Sequence, residues 1–302
     1  MEKKICFFDR HYKKDSEGFG SGAMRTTQIY NALIKHKYNT FLFNFSKQES
    51  NIKNSYIICV KTNNGLNLEK IKIMKNNINK IIFDVLDYYD DETSRTPDII
   101  KNGFVNYIDY FIVNNNFMKQ EFKKYKKPIF VIPHHYDPRL NNISIKKIDS
   151  LKFIFNGYIG DKNKNCLYIN ELTEKYNLIV CDDFRVFIKK FLFSNYCFIS
   201  IREEGSWEYN NRPLMKLAHA AACDSNIIIT NDMSVRDLLD PSYPYLLKDH
   251  KYETVIEMFE FVKKTFNTDI WFKGLDILKN LKIKLNSEQI VLDYYIPMFS
   301  KL

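Results

Sequence analysis

Asn195-Tyr-Cys-Phe-Ile-Ser-Ile-Arg-Glu-Glu-Gly-Ser-Trp-Glu-Tyr-Asn-Asn-Arg-Pro-Leu-Met-Lys-Leu-Ala-His-Ala-Ala-Ala-Cys-Asp-Ser-Asn-Ile-Ile-Ile-Thr230 reads as strand, polar loop, helix and second strand. Its first seven residues and Ile227–Thr230 are continuous apolar, β-branched runs, the pattern of strands covered on both faces in a parallel sheet. Pro213 suits the first position of a helix, where its missing N–H is no loss, so a helix is expected to open near Arg212. At 100° per residue Leu214, Leu217, Ala218, Ala221 and Ala222 share one arc, the face of a helix laid on a sheet. Lys216, His219 and Cys223 fall on the opposite side, which is expected to look outward. Open α/β sheets bind ligands beyond the carboxyl ends of their strands, so the loop Arg202–Arg212 stands where a ligand would sit. A cationic helix face beside a helix N-terminus suits a phosphate.

This segment resembles the donor-binding stretch of the GT-B glycosyltransferases, most closely the retaining, nucleotide-sugar-dependent families. There a strand ends in an acidic loop, followed by a helix of the form Lys-x-x-Glu-Ala-x-Ala-x-Gly and then Pro-Val-Ile. This chain has Lys216-Leu-Ala-His-Ala-Ala-Ala-Cys-Asp224 and Asn226-Ile-Ile-Ile. His219 stands where the family usually has a glutamate touching the donor, and Asp224 where it has glycine. The resemblance implies an α/β fold of two Rossmann-like, doubly wound parallel-sheet domains facing a cleft, with a C-terminal helix packing back on the first domain. It implies domains at 1–140 (acceptor side), 141–285 (nucleotide-sugar donor side) and 286–302 (the returning helix).

The rest of the chain is compatible with that plan. Its 302 residues suffice for two domains, and 45% hydrophobic content with 9 Gly and 8 Pro describes a folded chain without long linkers. Lys4–Phe8 reads as a strand, followed by a loop carrying Gly18, Gly20 and Gly22 and a helix from about Ala23 to Ile34. Strand, glycine loop and helix open a nucleotide-binding type of fold, although the dinucleotide fingerprint is missing. Further strands are expected near 40–45, 56–60, 80–83, 110–113, 129–132, 151–155 and 178–181. Helices are expected near 68–78, 97–108, 115–124, 184–193 and 234–239, then at 251–266, 270–283 and 286–299. Pro138–Ser150, rich in Asn, Lys and Ser, reads as a linker. In the last helix Leu292, Tyr295 and Phe299 form the face expected to pack on the first domain.

Glycosyl transfer requires the charge of the departing diphosphate to be stabilised, by a metal or by basic residues and helix ends. No metal-binding spacing is found, so the expected metal set is none and the donor, a nucleoside diphosphate sugar, needs no added cofactor. The six cysteines are scattered, without Cys-x-x-Cys, and read as buried free thiols. The carboxylates of Asp84–Asp91 lack calcium-loop spacing and read as acceptor-binding or structural. Arg212 and Lys216 are therefore the candidates for the diphosphate, with Arg202 a further cation and Glu203, Glu204 and Glu208 available for hydroxyl groups. The resemblance adds Gly20, Ser21 and Gly22 at the reaction site, His219 on the donor, and Gly157, Lys162 and Lys164 in the loop opening the second domain. If configuration is retained, the leaving phosphate takes the acceptor proton; if it inverts, His11 with Asp87 to orient it is the candidate base. The central unit's likeness favours retention.

A net charge of +9 implies an anionic partner: the donor, a lipid-linked or glycan acceptor, an anionic membrane surface or nucleic acid. The 15% aromatic content accommodates a nucleic-acid-binding protein or a DNA-modifying transferase, but no nucleic-acid motif occurs. A sugar-nucleotide binder without turnover is the third alternative, suggested by His219. Ile5–Phe8 is too short an apolar run for a signal peptide, and no later run spans a membrane, so a cytoplasmic protein, peripheral at the inner face of a membrane at most, is expected.

Overall fold

A computed structural model describes residues 3–8, 20–43, 52–60, 68–76, 78–86, 103–142, 146–157, 166–183, 186–188, 193–205 and 207–302. The chain divides into two compact units. Unit 1 comprises Met1–His134, Asn211–Pro213 and Ser287–Leu302; unit 2 comprises His135–Asn210 and Leu214–Asn286.

Unit 1 is built on a six-stranded sheet of order β2-β1-β3-β4-β5-β6. Its strands are β1 (Lys4–Phe8), β2 (Thr40–Phe43), β3 (Ser55–Val60), β4 (Lys80–Asp84), β5 (Tyr110–Val113) and β6 (Ile129–Val131), and all pair in parallel. β3 is buried along its whole length, as its apolar run requires. After β1 come α1 (Gly20–Ala23), a π-helical turn (Met24–Gln28) and α2 (Ile29–Lys35). α3 (Leu68–Asn76) precedes β4, and α4 (Asn116–Phe122), capped by Asn115, precedes β6. Sheet and helices enclose a core that includes Phe8, Phe83, Phe111, Phe122 and Met118.

Unit 2 carries β7 (Lys146–Asn156), β8 (Ile179–Cys181), β9 (Phe193–Ser200), β10 (Asn226–Thr230) and β11 (Leu246–Leu247) in the order β11-β10-β9-β7-β8, again parallel. Its helices are α5 (Ile169–Tyr176), α6 (Trp207–Asn211), α7 (Met215–Ala222), α8 (Met233–Leu238), α9 (Tyr252–Thr265) and α10 (Asp269–Lys284). Strand order reverses direction beside β7, which lies between β8 and β9. Such a switch point leaves a crevice at the carboxyl ends of the flanking strands.

Four expectations change. Lys146–Ser150, read as linker, are the first part of β7; their polarity hid a strand in which Lys146, Asp149 and Ser150 are exposed. The helix expected from Arg212 starts at Met215. Pro213 and Leu214 are a buried, non-helical connection, because burying Leu214 (φ −83°, ψ 47°) outweighs the local preference for helix at Pro213. His219 and Cys223 do not look outward. α10 packs along the second side of α7 and closes both in. The expected last helix is α11 (Ser287–Ile290), a π-helical turn (Val291–Tyr295) and α12 (Ile296–Ser300). The π turn rotates its face, so Leu292 is exposed while Tyr295 is buried and Phe299 stacks on Tyr38 and Tyr56. This segment belongs to unit 1, where α11 packs on α2 and Glu288 pairs with Lys35.

Candidate functional site: the carboxyl ends of β7 and β9

β7 ends at Asn156, and Gly157 follows with φ 158°, a value L side chains rarely adopt. Lys216, in the first turn of α7, lays its side chain over this strand end. Its Nζ is 4.8 Å from the centre of the Phe155 ring, a cation–π arrangement. A Cβ at Gly157 would stand 3.1 Å from Lys216 Cε and 3.2 Å from Nζ, so glycine here gives the lysine its path. A strand end and a helix far apart in sequence thus present bare backbone and one ammonium together at the switch point.

After β9 the chain runs through Ile201 to Arg202, which is 9% exposed and donates from Nη1 to Asp232 Oδ2 at 3.1 Å. Its N–H donates to Thr230 Oγ1 at 2.8 Å. Asp232 also caps α8 by accepting from the Val235 N–H at 2.9 Å. Burial pushes the Asp232 carboxyl up, against the pull of Arg202 and the Val235 and Ser234 N–H groups. Arg202, expected among the diphosphate cations, thus has its charge committed to tying β9 to α8. Glu203 and Glu204 are exposed at the loop tip, with Glu204 Oε2 4.0 Å from His250 Nδ1.

His219 is 4% exposed, and its pKa is lowered to about 4. Burial is the main cause, with Lys216 and Arg139 adding to it and Asp137 opposing it. The imidazole is therefore neutral at pH 7 and offers hydrogen bonds, not charge. Asp137 is itself buried and chelates Arg139, Nε to Oδ1 at 2.9 Å and Nη2 to Oδ2 at 2.5 Å. This pair, on the turn after β6, was not singled out from the sequence, although Asp-Pro-Arg at two-residue spacing is compatible with such a chelate. His134 and His135, which precede it, are buried as well.

The remaining candidates are distributed as follows. Arg212 is half-buried in the Asn211–Pro213 connection, which is grouped with unit 1. Gly20, Ser21 and Gly22 form α1 with Ala23, and of Ser21, as of Glu208 on α6, only the backbone is described. His11, Asp87, Lys162 and Lys164 lie outside the described residues. From the carboxylate cluster, Asp84 is seen as a buried partner of Arg25, Nε to Oδ2 at 2.8 Å, while Arg25 Nη1 donates to the Pro133 carbonyl at 3.0 Å. Among the described residues no group of three or more His, Cys, Asp or Glu is placed to hold a metal ion.

No family model matches the sequence, and the comparison with curated proteins finds no relative. Solved structures do match. The chain is similar to a glycosyltransferase from Rickettsia africae, with TM-score 0.66 at 11% identity, covering 99% of this chain and 98% of that one. It is similar to sucrose-phosphate synthase from Thermosynechococcus elongatus, with TM-score 0.64 at 10% identity over 99% and 98% of the two chains. It is also similar to Anabaena HepE in complex with UDP, with TM-score 0.61 at 8% identity over 99% and 100%. Two parallel sheets, each with its switch point, and matches spanning almost the whole chain lead to one conclusion: this chain has the fold of the GT-B glycosyltransferases.

Proposed function

We propose that the chain transfers a sugar from a nucleoside diphosphate sugar to a glycan, a lipid-linked molecule or another hydroxyl-bearing acceptor, with the donor diphosphate at the carboxyl ends of β7 and β9. The observation that carries this reading is the Lys216 ammonium laid over Phe155 beside the bare backbone of Gly157. The UDP complex of Anabaena HepE, a protein of similar fold, supports a nucleotide as the ligand.

In the reaction the anomeric C–O bond to the diphosphate breaks and negative charge grows on the leaving group. Lys216, with Arg212 as the second assigned cation, stabilises that charge. Retention is the stereochemistry preferred here: the acceptor oxygen forms the new bond while its proton passes to the leaving phosphate. Arg202 acts at one remove, holding the β9 loop through Asp232. Neutral His219 would hydrogen-bond a donor hydroxyl where a carboxylate would otherwise stand. Glu203, Glu204 and Glu208, with the loop that includes Lys162 and Lys164, are assigned to the donor, and Gly20, Ser21 and Gly22 to the reaction site. Since side chains carry the charge stabilisation in this reading, turnover should survive EDTA.

The test begins with a thermal-shift screen of UDP-, GDP-, ADP- and dTDP-sugars, and turnover is then measured with the donor that binds. Lys216→Ala should lower kcat on the order of a hundredfold or more with the melting temperature nearly unchanged. Gly157→Ala, which pushes the lysine aside, should reproduce part of that loss. Undiminished turnover of Lys216→Ala at saturating donor would remove the proposed role, and a chain that binds no nucleotide sugar would remove the reading itself.

A further inference from the structure

The excess of positive charge lies almost wholly in unit 1, since the acidic and basic residues of unit 2 nearly cancel. Within unit 1 much of it gathers at one edge. In a parallel sheet every strand is entered from the same side, so the residues leading into the strands form a row. That row holds Lys4 at the start of β1, Lys37 before β2, Lys53 before β3 and Lys126 before β6, all exposed, with the half-buried Lys80 at the start of β4. Neighbouring strands lie about 4.8 Å apart, so the lysines line one side of the sheet at short intervals. Among the described residues entering these strands the one carboxylate is Asp109, and Lys75 and Lys80 already engage it.

Between the lysines, in the turn from α3 to β4, stands Ile78. It is 79% exposed and left-handed, φ 61°. A β-branched residue is among the least suited to that conformation, and here burial returns nothing for it. Ile73 on α3 is exposed too. A cavity of about 330 Å³ lined by Lys3, Tyr38, Tyr56 and Phe299 lies beside the starts of β1 and β3, with Lys3 Nζ 4.7 Å from the centre of the Tyr56 ring.

We infer that this edge of unit 1 docks on the surface of an anionic phospholipid bilayer. The lysines meet the lipid headgroups, Ile78 enters the interface, and Tyr38 sits at headgroup level, where rings with a polar tip are favoured. An exposed isoleucine amid lysines, with no arginine in the row, fits a lipid surface better than nucleic acid, whose bases are read mainly by arginine and amide side chains. The inference is independent of the transferase reading, because donor binding at Lys216 is measured without lipid.

The experiment is co-sedimentation of the full chain with vesicles of phosphatidylcholine alone and of phosphatidylcholine with phosphatidylserine. Binding should require phosphatidylserine and fall as salt is raised. Each neutralised lysine should weaken it about fivefold, so Lys53→Gln with Lys126→Gln should weaken it roughly twenty-five-fold. Ile78→Asn should weaken it several-fold while the melting temperature holds or rises, since asparagine tolerates the left-handed turn. No sedimentation with phosphatidylserine, equal binding to both vesicles, or lysine variants that melt and bind like the parent would overturn the inference. Tighter binding to a DNA duplex than to the vesicles would overturn it in favour of nucleic acid.

Discussion

At the residue scale the decisive groups are buried charges and what meets them. Arg25 and Asp84 are both fully enclosed in unit 1, with the Tyr295 ring 5.9 Å from the guanidinium. Burial is the largest influence and works against the charge on Arg25, but Asp84 and Tyr295 together outweigh it and raise the arginine above its ordinary value. Removing one partner strands the other, so Arg25→Met should destabilise unit 1 by about 3–5 kcal/mol. At this size that is a fall in melting temperature on the order of 10 °C, and a loss of only a degree or two would show that the pair is not structural. His219 gives the second residue-scale prediction. Its folded pKa of about 4 lies below the ordinary 6.5, so the unfolded chain takes up the proton first. The stability it protects is complete above pH 6.5 and lost as pH falls toward 4, in all roughly 3 kcal/mol. Denaturant titrations across that range should show the parent losing stability faster than His219→Gln; parallel curves would contradict a buried neutral imidazole.

At the element scale, α7 differs from a surface helix because it is covered twice, by the sheet and by α10. The closeness of α10 depends on Gly274, where a Cβ would fall inside van der Waals distance of Asn226 Oδ1. Asn226 cannot simply turn away, since its Nδ2 donates to the Trp271 carbonyl at 3.0 Å and its Oδ1 accepts from the Tyr243 hydroxyl at 3.2 Å. Gly274→Ala should therefore cost about 1–3 kcal/mol as α10 is pushed off β10, despite the better helix propensity of alanine. A variant as stable as the parent, measured by urea unfolding, would mean that the contact relaxes freely. Asp224, left-handed at φ 48° just past α7, does the work of the usual glycine, and Lys282 of α10 pairs with it at 2.8 Å.

At the scale of the whole molecule, all six cysteines are free and buried. Burial pushes the thiols of Cys6, Cys59, Cys166 and Cys223 up to about 12, so they are poor nucleophiles at neutral pH. The folded chain should react only slowly with Ellman's reagent, and six thiols should appear on unfolding. A thiol that reacts at once in the native chain would contradict this packing. Among the described residues no helix is long and apolar enough to cross a membrane.

Much of the architecture was legible because strands buried on both faces must be written as unbroken apolar runs, as in Tyr56–Val60 and Ile227–Thr230, and because helices between them carry a period of their own. The sequence by itself therefore determined the alternation of strand and helix, the parallel sheets and the placing of Lys216 near a strand end. Only the tertiary structure decided what each of those residues meets. α10 converts the supposed outer face of α7 into core and makes His219 neutral, Asp232 takes the charge of Arg202, and Gly157 lets Lys216 cross β7. The physical reason is that periodicity records how a segment faces its own immediate layer, whereas contacts between segments far apart in sequence leave no local pattern; they exist only once the chain has folded.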